Sequence, residues 1–273
     1  MLDWGRMSRA ERDAAYDNSA AVADSQARLQ ALREASSIRR ATDPAGLDQP
    51  YGPGERNRVD LFPAAHPAAP CLVFIHGGYW QRNSREGFTA VADGVRAHGW
   101  AAALPGYTLA PEAGLAAMVA EVHAALDWLA GRVAGPVIVS GWSAGGHLTA
   151  MALSHPRVQA GLAVSGVFEL GPLRDTVLND KLRLTDWEVA NLSPLRLPAI
   201  SKPLTVAYGT AELPALVADS RGLHAHRAAA HAPGALIPVA GANHFSILDT
   251  LRDPAGVLTR AALALAEREP GPT

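Results

Sequence analysis

Gly141-Trp142-Ser143-Ala144-Gly145 is the segment best suited to chemistry, because a serine flanked by glycines at this spacing can be presented as a nucleophile. An apolar run at residues 136–140 precedes it and a helical pattern follows, so the pentapeptide is expected at a sharp strand-to-helix turn. Side chains at the two flanking positions of so tight a turn would collide, which accounts for Gly141 and Gly145. The turn would lift the Ser143 hydroxyl clear of the backbone and aim the Ala144 N–H, at the positive end of a helix dipole, at a developing oxyanion. The implied chemistry is acyl transfer through an acyl-serine. A chance match is the competing explanation in a chain with 25 glycines, and the strand-helix context weighs against it.

Three further groups complete that chemistry. His76-Gly77-Gly78-Tyr79-Trp80 follows the apolar run at 71–75, and its glycines allow main-chain amides to approach a substrate oxygen. His244, in Gly241-Ala242-Asn243-His244-Phe245, sits on a loop after the last apolar run, where a general base can reach both the hydroxyl and the leaving group. An acid between serine and histidine in chain order is expected just after the preceding strand, which selects Glu212. Asp219 is the runner-up, expected on a solvated helix face, and Asp249 falls after His244, out of order. The other histidines read as packed or solvated; His147 is expected under the turn, and His224 and His226 diverge on a helix rather than converge on a metal.

The elements that must position these groups alternate along the chain. Strands are expected at 58–62, 71–75, 100–104, 136–140, 162–165, 204–208 and 236–239, with helix-length segments between them. Leu115, Met118, Val119, Val122, Leu126 and Leu129 share one helical face. Strand and helix in repetition imply an α/β fold with a mostly parallel central sheet and helices on both faces. Residues 8–40 read as one or two surface helices, with Ser8 and Glu11 spaced as a capping box, and prolines 44, 50 and 53 end them. We therefore expect an N-terminal helical extension at 1–50 and one hydrolase domain at 51–273, with a small cap insertion at about 168–198. Packing against the sheet is expected of the extension, rather than a part in the substrate entrance.

Composition excludes several function classes. The chain has 273 residues, 48% of them hydrophobic and 18% charged, and a formal net charge of −2, so no basic field invites nucleic acid or an anionic membrane. Its single cysteine, Cys71, rules out an intrachain disulfide and a multi-cysteine metal site. The N-terminus lacks the apolar stretch of a secretory signal, and a cytoplasmic location is expected.

Together these residues resemble the arylformamidases (kynurenine formamidases) and their bacterial relatives among the α/β-hydrolases, over roughly residues 54–245. The specific part is HGGYWQ at 76–81, since that family is marked by His-Gly-Gly-x-Trp, joined by SAGGHLTAMAL after the turn, SGVFELGPL through the insertion, and Pro214 and Ser220 after the acid. The resemblance implies Ser143 as nucleophile, His244 as base, Glu212 as acid, and Gly77, Gly78, Tyr79 and Ala144 as the oxyanion hole. Animal and fungal members usually carry Asp where Glu212 stands and His where Trp142 stands. A formyl group would need a tiny acyl pocket, which Trp142, Tyr79 or Trp80 would narrow, while the cap takes an aromatic leaving group. Trp187 in the cap would be a stacking surface or a core residue.

The resulting expectation is a serine hydrolase acting on a small acyl amide such as an aryl formamide, with no metal and no organic cofactor. A general short-chain carboxylesterase shares every residue named, and a hydrolase-fold binding protein that has lost its triad is the reading from another class. The expected partner is a small-molecule substrate, not nucleic acid or membrane, and a homodimer is compatible with the sequence.

Overall fold

A computed structural model describes residues 4–267; the ends of the two expected segments, 1–3 and 268–273, lie outside the described residues. Eight strands form one sheet in the order β1-β2-β4-β3-β5-β6-β7-β8. Their ranges are β1 Gln49–Pro50, β2 Arg58–Phe62, β3 Cys71–Ile75, β4 Ala101–Pro105, β5 Val137–Trp142, β6 Val158–Val164, β7 Leu204–Gly209 and β8 Leu236–Val239. All pairs from β4 across to β8 are parallel, and β1 and β2 are antiparallel. Every expected strand is present; the two-residue β1 was too short and too proline-rich to be read from sequence.

The central strands are buried on both faces, as parallel strands covered by helices must be: all five residues of β3 and all six of β5 are inaccessible or nearly so. One face packs on the helix Leu115–Leu129, whose buried Leu115, Met118, Val122, Leu126 and Leu129 include most of the expected stripe. The opposite face packs on Val91, Leu251, Leu258 and Leu265. Cys71 is a core residue of β3, and burial raises its thiol to about 12.

The N-terminal region forms three helices where one or two were expected: α1 Arg9–Tyr16, α2 Asn18–Ala21 and α3 Ser25–Thr42. The Ser8–Glu11 capping box opens α1, and Asp17 caps α2 by accepting from the Ala20 N–H. Ser25, Leu32 and Ser36 of α3 are buried, and Ser36 Oγ accepts from the Ala90 N–H at 3.1 Å. Asp60 of β2, fully buried, takes the guanidiniums of both Arg40 of α3 and Arg85. Those contacts fasten α3 beside the sheet's C-terminal edge.

The stretch at 168–198 carries short helical turns, among them Asp186–Leu192 with a Thr185–Glu188 capping box. Asp219, expected on a solvated face, instead accepts from the N–H groups of Phe168 and Glu169 at 2.6 and 3.2 Å, where this stretch begins. Burial drives its carboxyl up to about 7 despite those two bonds. Trp187 is not a core residue: it is 59% exposed.

Candidate active site

Register places the candidate groups side by side. Ile75 pairs with Gly141, Trp142 with Val164, Val164 with Ala207, and Gly209 with Val239, so the loops after β3, β5, β6, β7 and β8 leave the same edge of the sheet. The C-terminal edge is where a parallel sheet offers its loops to a ligand.

Ser143 stands at φ 58°, ψ −120°, between β5 and the helix Ala144–Ala152. A non-glycine residue in that region stores about 1–3 kcal/mol of strain, which the packing around it must offset. The packing is close: a Cβ on Gly145 would lie 1.9 Å from the Ile75 carbonyl oxygen, and one on Gly141 would lie 2.2 Å from the Gly145 carbonyl oxygen. The Ser143 N–H is tied to the Val164 carbonyl at 2.8 Å. Strand and helix are thereby locked at an angle that turns the serine, buried as a residue, toward a cavity at the edge.

The glycine loop after β3 is held by its carbonyls. Gly77 O accepts from Asn83 Nδ2 at 3.1 Å and from His76 Nδ1 at 2.9 Å, while Gly78 O accepts from the N–H groups of Gln81 and Arg82, both at 3.0 Å. In a trans peptide the N–H points opposite to its C=O, so the N–H groups of Gly78 and Tyr79 face away from those donors. Among the described residues neither amide, nor that of Ala144, has an acceptor. Gly78 has φ +121°, open to glycine alone, and the loop runs so close to the serine that a Cβ on Gly77 would sit 2.9 Å from Ser143 Cβ. Burial lowers His76 to about 4, so its ring is neutral near pH 7 and keeps one N–H for Gly77 O.

Glu212 and His244 come together as the sequence anticipates. His244 Nδ1 lies 3.1 Å from Glu212 Oε2, and Glu212 Oε1 accepts from Ser165 Oγ and from the Gly209 N–H, both at 2.6 Å. A carboxylate only accepts, so Nδ1 carries the proton and Nε2 offers its lone pair. Trp142 anchors the same histidine: its indole N–H donates to the His244 carbonyl at 2.6 Å, and its ring lies 4.8 Å from the imidazole. Asn243 Oδ1 receives the N–H groups of Phe245 and Ser246, so this loop is pinned rather than mobile. Ser143 and His244 line one cavity of about 140 Å³. Among the described residues no hydrogen bond joins the two, and such a contact commonly tightens only when substrate binds.

The remaining expectations divide. Trp142 lines the cavity, as do Gly78 and Tyr79. Trp80, also expected there, does not: it is fully buried, stacked edge-on against His147 at 5.1 Å, because the turn at Tyr79 and Trp80 sends its indole inward. His147 lies under the turn as expected, with Nε2 2.7 Å from the Leu192 carbonyl. No cavity-lining residue comes from 168–198. The outer wall is instead the N-terminal region, which supplies Asn18, Ser19, Gln26, Leu29 and Arg33. The expectation that this region only packs is thus incomplete, because Gln26, Leu29 and Arg33 present one face of α3 to the serine. Their spacing, three and four residues, was the signal that could have found them. Asn83 and Ser165, which hold the glycine loop and Glu212, had no sequence signal beyond proximity to the motifs.

Tyr79 links the outer wall to the glycine loop. Its hydroxyl donates to the Tyr16 carbonyl at 2.6 Å and accepts from Asn18 Nδ2 at 2.8 Å, all three residues being buried. Tyr79→Phe would leave both partners unsatisfied, at a cost of about 1–3 kcal/mol in stability. Urea unfolding should report that loss, and kcat should fall with it because the loop loses a tether; a variant unchanged in both would refute the linkage.

Comparison with known proteins agrees with this architecture. A family model described as BD-FAE matches residues 60–160. The chain is 29% identical to a kynurenine formamidase of Danio rerio, over 97% of this chain and 99% of that one. A crystal structure of a putative thioesterase from Silicibacter sp. TM1040 superposes with a TM-score of 0.87 at 27% identity, covering 93% of this chain and 99% of that one. Esterase B of Lactobacillus rhamnosis shares the fold, with a TM-score of 0.68 at 19% identity over 90% and 97% of the two chains. The fold is that of the α/β-hydrolases. Among the described residues no helix is long and apolar enough to cross a membrane, and no three His, Cys, Asp or Glu side chains converge as a metal site.

Proposed function

We propose that this α/β-hydrolase, similar along nearly its whole length to a kynurenine formamidase, cleaves a small acyl amide, an aryl formamide first of all, through an acyl-enzyme on Ser143. The observation that carries the reading is one small cavity lined by Ser143, His244, Gly78 and Tyr79, with Glu212 behind the histidine.

In this reading His244 Nε2 takes the Ser143 proton as Oγ attacks the formyl carbon, and the carbonyl π pair moves onto oxygen. The N–H groups of Gly78, Tyr79 and Ala144 receive that oxyanion; each well-placed donor lowers the barrier by about 3 kcal/mol. Collapse expels the amine, which takes the proton from His244, and water then repeats the sequence on the formyl-serine to release formate. Glu212 holds the imidazole in the tautomer this needs and stabilises its charged form. Apart from the substrate and one water, every group these steps use is a side chain or a main-chain amide of this chain. The N-terminal extension at 1–50 belongs to the working enzyme, since it walls the cavity and tethers Tyr79, while the stretch at 168–198 supports Asp219 and His147 from the side.

The cavity also bears on acyl size. A space of about 140 Å³ compares with the engineered cavity of about 150 Å³ that just holds benzene, so one aromatic ring fills it. Little room then remains beside Trp142 for an acyl chain. Formanilide should exceed acetanilide in kcat/KM, after correction for their hydroxide-catalysed rates, by about 10- to 200-fold, the usual worth of one unaccommodated carbon. Assaying the two anilides beside phenyl formate and phenyl acetate decides the matter: equal handling of formyl and acetyl, with esters far ahead of amides, would favour a general short-chain esterase.

A further inference from the structure

The cavity at Ser143 is lined by charge of one sign. Arg33, from α3, and Arg82, from the turn after the glycine loop, line it together, and no aspartate or glutamate among the described residues does. Among the described residues Arg33 reaches only Asn83 Oδ1, at 3.4 Å, and Arg82 has no side-chain hydrogen bond or ion pair. Nearby carboxylates are already engaged. Glu212 lies behind His244, bonded to Ser165 and Gly209; Asp17 caps α2; Asp24 and Asp249 pair with Arg28; and Glu86 pairs with Arg85. The mouth of a reactive cavity thus holds two guanidiniums with which no carboxylate among the described residues forms an ion pair.

A guanidinium presents parallel N–H donors in the geometry that suits a carboxylate, and two of them at one mouth attract an anion while repelling an ammonium. Resting on the acyl-hydrolase reading above, we infer that the leaving group of the natural substrate carries a carboxylate and no ammonium, as a formamidobenzoate does. Such a mono-anion differs from N-formylkynurenine, whose amino-acid end brings an ammonium for which no described residue lining this cavity offers a counter-charge. Arg33 and Arg82 are then specificity determinants outside the reacting atoms, reached once the aryl ring fills the space beside Trp142.

The test compares kcat/KM of the full-length enzyme on 2-formamidobenzoate, neutral formanilide and zwitterionic N-formylkynurenine. The anion is expected to exceed both others by about tenfold or more, the usual worth of a hydrogen bond to a charged group. Raising the salt concentration should shrink that advantage, since the guanidiniums are exposed. The ratio of anion to neutral should collapse in the Arg33→Gln/Arg82→Gln double variant and recover in part in the corresponding double lysine variant. A preference for the zwitterion, or an anion-to-neutral ratio that the glutamine variant leaves unmoved, overturns the inference while the acyl-hydrolase reading stands. Failure to hydrolyse any of the three formamides or phenyl formate overturns both.

Discussion

Replacing Ser143 by alanine is expected to lower kcat on an aryl formamide by about a millionfold, with little change in KM, as loss of the nucleophile does in serine hydrolases. The expectation rests on the turn that holds the residue. Ser143 sits at positive φ between strand and helix, its N–H tied to Val164 and its flanking glycines packed against the carbonyls of Ile75 and Gly145. Alanine keeps the backbone in place, so the fold should survive and the circular dichroism spectrum should be unchanged. What remains would be the weak catalysis of an oxyanion hole with no nucleophile, about 10³–10⁴ above water. A variant that retained a tenth of wild-type turnover would place the nucleophile elsewhere.

Glu212→Gln should cost about 10⁴ in kcat, for a reason that can be read from hydrogen-bond donors. Ser165 Oγ and the Gly209 N–H both donate to Glu212 Oε1. A glutamine there must put its carbonyl oxygen where those donors converge, which turns its NH2 toward His244 Nδ1. Nδ1 can then only accept, so the ring proton moves to Nε2 and the base that should take the serine proton is lost. Asp219→Asn is the control. Asp219 accepts from Phe168 and Glu169 at the start of the stretch 168–198 and takes no part in holding His244, so its replacement should change kcat less than tenfold, within reach of one lost hydrogen bond. Reversal of the two results would make Asp219 the acid.

How much of this could be read in advance depended on how local each feature is. The turn at Ser143 is a strand, five residues and a helix in succession, so pattern and chemistry coincide in one window of sequence. The strand at 71–75 and the glycines after it form a second such window. Chain order then sufficed to choose Glu212 over Asp249. The outer wall was not legible in the same way, because Asn18 lines the cavity through its bond to the Tyr79 hydroxyl, and Arg33 through the docking of α3 on Asp60 and on the Arg85–Ala92 turn. Nor could the tryptophans be sorted. Trp80, Trp142 and Trp187 carry the same side chain, yet backbone direction makes the first a core residue, the second a cavity wall bonded to the His244 carbonyl, and the third a surface residue. The stretch at 168–198 was expected to cover the reactive edge because it interrupts the strand-helix rhythm there; instead α2 and α3 occupy that place, and the insertion packs beside it through Glu188 on the Ala116 N–H.

Ser143 is proposed above as a nucleophile activated by His244. Treating the wild-type chain with a fluorophosphonate and locating the adduct by peptide mass spectrometry tests it most directly. One phosphonyl group per chain is expected, on the peptide containing Ser143, and its loss in both Ser143→Ala and His244→Ala. An unlabelled wild-type protein, or an adduct on another serine, would contradict it.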